Sequence, residues 1–139
     1  MTKQPAGEPV QGRYLGIDVG VKRVGLATAD PEARVAHAWQ TIEPARLVEV
    51  IKTQGPFAEI VVGLPRNLAG TDTAQTLAVR RFCDDTLGAQ LGIDPVFQDE
   101  AATSSVAEAE LRASGRSYTK ADIDAQAAAI ILQDYLDTL

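Results

Sequence analysis

The stretch Leu15–Asp30, LGIDVGVKRVGLATAD, sets a carboxylate, Asp18, inside an otherwise apolar β-hairpin. Strand alternation in RYLGID places Tyr14, Gly16 and Asp18 on one face and Leu15 and Ile17 on the other. VGVKR reads as the turn, with Gly20 free to take a positive φ, and VGLATAD as the returning strand. An aspartate beside a glycine is commonly a turn residue bonded to nearby backbone amides. Asp18 therefore acquires chemical meaning only from what the rest of the chain brings to it.

Outward from the hairpin, VAHAWQTI continues an antiparallel meander as a third strand. PARLVEVIKTQG has helical spacing through Leu47, Val50 and Ile51 and stops at Gly55. AEIVVGLP is a compact apolar run of the kind buried in a sheet. A helix is predicted over Asp72–Leu91, with Leu77, Phe82 and Leu87 among its apolar positions, and Gly92 ends it. DPVFQDE is a last short strand, followed by helices over Ser104–Ala113 and Lys120–Leu139. Strands separated by helices pair in parallel. The expected fold is α/β: a mixed five-stranded sheet, three antiparallel strands and then parallel ones, with helices on both faces. It occupies residues 13–139 as one domain, after a flexible tail over residues 1–12, which is polar and rich in Pro and Gly.

The 139-residue length suits one domain with a real core. No apolar run is long enough to cross a bilayer, and the start carries no signal-peptide pattern. Cys83, the single cysteine, cannot form an internal disulfide and reads as a buried helix residue, so a cytoplasmic setting with no membrane partner is expected. The net charge of −6 argues against a generic nucleic-acid binder. A metal site built from carboxylates, however, itself adds negative charge.

Glu100 repeats the arrangement of Asp18 at the carboxyl end of a probable central strand, the edge where open α/β sheets bind ligands. As a bland alternative, Asp99 and Glu100 are first-turn charges of the next helix. In the closing helix Thr119 and Asp122 have capping-box spacing, which gives Asp122 a structural role. Asp124 has none. Its neighbours three, four and seven positions on are Ala127, Ala128 and Ile131, all apolar. A lone charge on that stripe needs a partner, either a basic side chain or a cation shared with other carboxylates. Three carboxylates meeting at one sheet edge suit Mg²⁺ or Mn²⁺, and a two-metal site can hold a phosphodiester for in-line attack by water. That cage requires Asp124 to reach Asp18 and Glu100 and not be neutralised by an arginine. His37 reads as a partly exposed strand residue, and there is no zinc pattern, P-loop or nucleophile elbow.

Four segments together resemble one family. GIDVGVKRVGLATAD is similar to the opening of the YqgF family, also called RuvX, with its GIDxGxKRxGxAxSD. VVGLPRNLAGT resembles its VVGLPxNMDGT, FQDEAATS falls at its DERxTT, and IDAQAAAIILQDYL resembles its closing DxxAAxxILxxYL. The order and spacing agree along the whole chain after the tail. The resemblance implies a ribonuclease H-like fold and a metal-dependent nuclease, associated with maturing the 5′ end of 16S ribosomal RNA and, by likeness to RuvC, with Holliday junctions. It places the catalytic and metal-binding residues at Asp18, Glu100 and Asp124, which the spacing reached independently. Precursor ribosomal RNA or branched DNA is the implied partner, with a monomer or homodimer as the working unit. Two positions depart from the pattern. Ala101 stands where the family has Arg, and Ala69 where it has Asp.

Lys22 and Arg23 match the family's first-turn basic pair and are read as phosphate contacts, with Arg66, Asn67 and Arg116 as further nucleic-acid-binding residues. Thr103, Ser104 and Ser105 read as helix caps whose hydroxyls can also touch phosphate, and Tyr118 as able to stack on a base. Trp39 reads as core or interface. Two other functions fit parts of the sequence. The DxG turn resembles the phosphate loop of actin-like phosphotransferases and ATPases, which need two such domains. Ala101 suits a non-catalytic RNA-binding ribosome-assembly factor.

Overall fold

The computed structural model describes residues 12–100 and 103–139. The tail expected over 1–12, apart from Gly12, and the Ala101 departure lie outside the described residues. β1 (Tyr14–Val19), β2 (Val24–Ala29) and β3 (Ala36–Ile42) form the antiparallel meander. A 3₁₀ turn, Pro44–Arg46, leads into α1 (Leu47–Gln54), and β4 (Glu59–Pro65) pairs in parallel with β1. Then come α2 (Ala74–Cys83), α3 (Ala89–Leu91), β5 (Val96–Glu100) parallel to β4, α4 (Thr103–Ala113) and α5 (Lys120–Leu136). The sheet order is β3-β2-β1-β4-β5, the mixed five-stranded sheet expected from the sequence.

Alternation sends the two faces of the sheet to different partners. Leu15, Ile17, Val24, Leu26, Val62 and Leu64 pack against Leu47, Val50 and Ile51 of α1 and Val79 and Cys83 of α2. On the other face Ala27, Ala29 and Val61 meet Ala128, Ile131, Leu132 and Leu136 of α5. Each fully buried leucine or isoleucine contributes about 2 kcal/mol. The residues beneath α5 are small, so the helix lies close to the strands. A Cβ on Gly16 would come within 2.7 Å of the Leu132 Cβ, and one on Gly25 would overlap the Asp124 carbonyl.

Four details differ from the sequence reading. The strand ending at Glu100, expected to be central, is the edge strand β5. The helix predicted over Asp72–Leu91 starts at Ala74, where Thr73 and Thr76 cap each other reciprocally, and passes through a π turn at Asp84–Gly88. One extra residue per turn leaves no trace in hydrophobic spacing. Leu77, expected in the interior, is 60% exposed, and the buried stripe is instead Thr76, Val79 and Cys83. Gly20 does not take a positive φ. It is needed because a Cβ there would lie 2.7 Å from the Arg23 carbonyl, which accepts from the Gly20 N–H at 2.9 Å to close the turn.

Gly25→Ala is expected to lower stability by about 3 kcal/mol, because α5 must lift from the sheet to admit one methyl group. The urea midpoint measures this, and an unchanged midpoint would show that α5 does not rest on β2.

Candidate active site

Asp18 lies near the carboxyl end of β1 and Glu100 at the carboxyl end of β5, with β4 between them. All three strands run the same way, so both acids reach the same sheet edge. Ile17 pairs with Val62, which sets Gly63 beside Asp18. A Cβ on Gly63 would stand 3.0 Å from Glu100 Oε1. The glutamate therefore leans over a bare backbone position toward Asp18, and the longer side chain is the one that crosses the intervening strand. On the opposite flank Asp18 pairs across the hairpin with Gly25, the glycine roofed by the Asp124 backbone. Two glycines thus flank Asp18, one beneath the Glu100 carboxylate and the other beneath the Asp124 backbone.

Asp18 and Glu100 open into a cleft of about 230 Å³, with Gln75, Thr103, Ser104 and Ser105 on its walls. Gln75 escaped the sequence reading, since nothing but its place in the first turn of α2 marks it. Ser104 and Ser105 were read as caps; they lie inside α4 with their residues exposed at the cleft. Thr76, fully buried, donates its hydroxyl to the Pro65 carbonyl and so ties the start of α2 to the end of β4 beside this cleft.

Burial pushes the Asp18 carboxyl up to about 7, and the charges of Glu100 and Asp124 add to the rise. Burial also raises Glu100. A hydrogen bond from the Thr103 side chain opposes that rise, and the charge of Asp134 adds to it. Neither acid has a basic partner among the described residues.

Asp124 differs. Its Oδ2 lies 2.5 Å from Arg23 Nε, so the partner its stripe demanded is a basic side chain. This corrects the expected cage: among the described residues no three His, Cys, Asp or Glu side chains are arranged to hold one metal ion. It also corrects the reading of Arg23 as a free phosphate contact. Arg66 lines the cleft, but its guanidinium is held by Asp99 at 2.9 Å and by Asp72 at 2.9 Å, the latter without hydrogen-bond alignment. Asn67 is spent on its own loop, donating to Thr71 Oγ1 at 2.6 Å and accepting from the Thr71 N–H at 3.0 Å. Tyr118 donates to Glu108 at 3.1 Å and is not a free stacking platform. Lys22 and Arg116 are exposed and have no ion-pair partner among the described residues.

The family model for RuvX, described as Holliday junction resolvase, matches residues 12–138. A Chloroflexus aurantiacus protein named "Putative pre-16S rRNA nuclease" is 40% identical over 132 residues, covering 88% of this chain and 85% of the relative. A Salinibacter ruber protein of the same name is 37% identical over 134 residues, covering 91% and 94%. Two solved structures share the fold. The yeast mitochondrial Holliday junction resolvase Ydc2 has a TM-score of 0.54 at 13% identity, covering 91% of this chain and 78% of that one. T. thermophilus RuvC in complex with a Holliday junction substrate has a TM-score of 0.50 at 15% identity, covering 92% of this chain and 95% of that one. The acids at the sheet edge, the ribonuclease H-like strand order and these matches lead to one assignment: the chain belongs to the RuvX family.

Proposed function

We propose that the chain is a divalent-metal-dependent nuclease that hydrolyses phosphodiester bonds in structured nucleic acid, with precursor 16S ribosomal RNA as its substrate in the cytoplasm. The observation that carries this reading is the pair Asp18 and Glu100: half-buried in one cleft, with the Glu100 charge acting against that of Asp18, and without a basic partner among the described residues. Family membership and the names of the relatives point the same way.

Two hard oxygen donors held in a polar cleft fit Mg²⁺ or Mn²⁺. Asp18 and Glu100 are the donors in this reading, while Asp124 is held by Arg23. When bound, the cation supplies Lewis-acid activation of water and neutralises charge on the leaving oxygen. The chain's own residues do the rest. The Ser104 and Ser105 hydroxyls face the cleft, where they can donate to a phosphate oxygen. Lys22 and Arg116, exposed and without an ion-pair partner among the described residues, are the phosphate contacts in this reading. Arg66 and Asn67 hold the loop after β4 in shape and act on the substrate only through that loop.

A four-way DNA junction is the competing substrate, and a non-catalytic RNA-binding assembly factor is the competing function. Family membership leaves the actin-like reading of the DxG turn without support. Labelled precursor 16S RNA and a labelled junction, incubated with Mn²⁺, Mg²⁺ or EDTA, separate these. Cleavage of the RNA is expected with either metal and not in EDTA. Asp18→Asn and Glu100→Gln should each reduce it by more than about 100-fold while the circular dichroism spectrum is preserved. Undiminished cleavage by Asp18→Asn would remove the assignment.

The raised Asp18 carboxyl also predicts a stability effect in the metal-free protein. The folded state holds this proton up to about pH 7, whereas an ordinary aspartate carboxyl releases it near 3.8, so stability falls as pH rises between those limits. In EDTA at pH 8, Asp18→Asn should be more stable than wild type by at most about 4 kcal/mol, at ~1.4 kcal/mol per pH unit. The gain should fade below about pH 4. Thermal melts across pH check it; a variant less stable than wild type at pH 8 would contradict the repulsion.

A further inference from the structure

Gln75 stands between two hollows. It lines the Asp18–Glu100 cleft and also a second hollow of about 200 Å³ between the hairpin and α2. Asp18 opens into the first, and Val19, the next residue along β1, opens into the second. The second hollow is apolar. Val79 is buried in it, Val19 and Phe82 are half-buried, and Ala78 and Val21 are exposed at its rim, Val21 by 97%. Gln75 supplies its only polar side chain among the described residues. Thr73 and Thr76 on either side are spent on the helix cap, whereas the Gln75 amide has no hydrogen-bond partner among the described residues. Val21 in turn borders a hollow that holds Lys22. Acid cleft, apolar hollow and lysine therefore follow one another along the surface, and neighbours share a residue.

That order matches what a nucleic-acid strand presents: phosphate, base, phosphate. Apolar walls with one convergent amide are the usual form of a small-ligand site. A nucleobase has an apolar face and an edge of donors and acceptors, and a glutamine amide can both donate and accept. The chain carries a net charge of −6, and Arg23 and Arg66 are already paired, so phosphate attraction gives it a weak grip. Apolar contact with a base supplies what charge does not. Resting on the nuclease reading above, we infer that this hollow takes an unpaired nucleobase of the substrate strand, beside the phosphate held in the cleft, and that Gln75 reads the edge of that base. A base inside a duplex is stacked and paired and does not enter, so the cut falls next to an unpaired nucleotide. Val21, Gln75 and Ala78 are specificity-determining residues and take no part in the chemistry.

The probes are a single-stranded RNA hexamer, a series of the same hexamer each lacking one base, and the fully paired duplex. In NMR titrations the Val21 and Ala78 backbone signals and the Gln75 side-chain amide should move with the hexamer and not with the duplex. One member of the base-deleted series should bind roughly tenfold more weakly, a size typical of one stacked base. Ala78→Trp fills the hollow from an exposed position of α2, and Val21→Asp sets a charge on its rim at a solvated hairpin tip. Each should weaken the intact hexamer roughly tenfold and abolish the sensitivity to the missing base, the signature of a shared contact. In cleavage with Mn²⁺ each should lower kcat/KM on precursor RNA by a similar factor. If wild type cleaves RNA and no base deletion alters binding, or both variants respond to base loss as wild type does, the base site is wrong and the nuclease reading stands. If wild type cleaves nothing while the base dependence and the Val21 and Ala78 shifts persist, the nuclease reading falls and the hollow remains an RNA-binding site. Movement of those signals with protein concentration in the absence of RNA would give the hollow to a second copy of the chain and overturn the assignment.

Discussion

The close seating of α5 on the sheet governs the rest of this molecule. Gly16, Gly25 and Gly63 leave the strands bare along the path of the helix, and Ala27, Ala29 and Ala128 keep the remaining contacts short. Backbone to backbone contact of this kind fixes a helix in both height and rotation, because a single added methyl group has nowhere to go. It brings Asp124 over β2 and leaves Ile131 and Leu132 to fill the space over β4 and β1. The Thr119–Asp122 capping box sets where the helix begins, one turn before Asp124. The geometry of the sheet edge follows from these constraints and not from the acids themselves.

The acids at that edge are held against their own electrostatic preference. Asp18 is half-buried and feels the charges of two other carboxylates, and nothing basic among the described residues relieves either it or Glu100. A protein selected for stability alone would pair them or replace them, since an unpaired buried charge is costly. Elsewhere this chain does pair its charges: Arg66 lies between Asp72 and Asp99, and Arg112 faces Glu108 one helical turn away. The contrast within one molecule marks the Asp18–Glu100 edge as the place where stability is given up.

Much of the fold was legible because it rests on local rules. Alternation in RYLGID and VGLATAD placed the hairpin strands, the compact run in AEIVVGLP placed β4, and Thr119 with Asp122 announced the start of α5. The site was legible in part. Asp18 and Glu100 were found from their positions at strand ends, and Asp124 from its want of a partner on an apolar stripe. The carboxylate partners of Arg23 and Arg66 were not legible, for a common physical reason. A guanidinium reaches about 7 Å from its backbone, so which carboxylate it meets depends on segments far away in sequence. Arg66 finds Asp99 of β5, 33 residues on, and Arg23 finds Asp124 of α5. Asn67 turned inward on its own loop, an outcome its composition allowed and did not require. Leu77 misled because the buried stripe of α2 runs through Thr76, whose hydroxyl is tied to the Pro65 carbonyl, and leaves Leu77 on the outer face.

The sequence alone determined the order and kind of the elements, the parallel return of β4 and β5 to β1, and the three acids, because each follows from periodicity, chain connectivity or the cost of a lone charge. Tertiary structure decided how those acids are partnered. Two of them share a cleft and a repulsion, while the third is claimed by an arginine that lies beside the first in sequence and comes to it only through folding. Charge pairing across a fold depends on distances of a few ångströms between elements packed from opposite ends of the chain, and no local pattern encodes them.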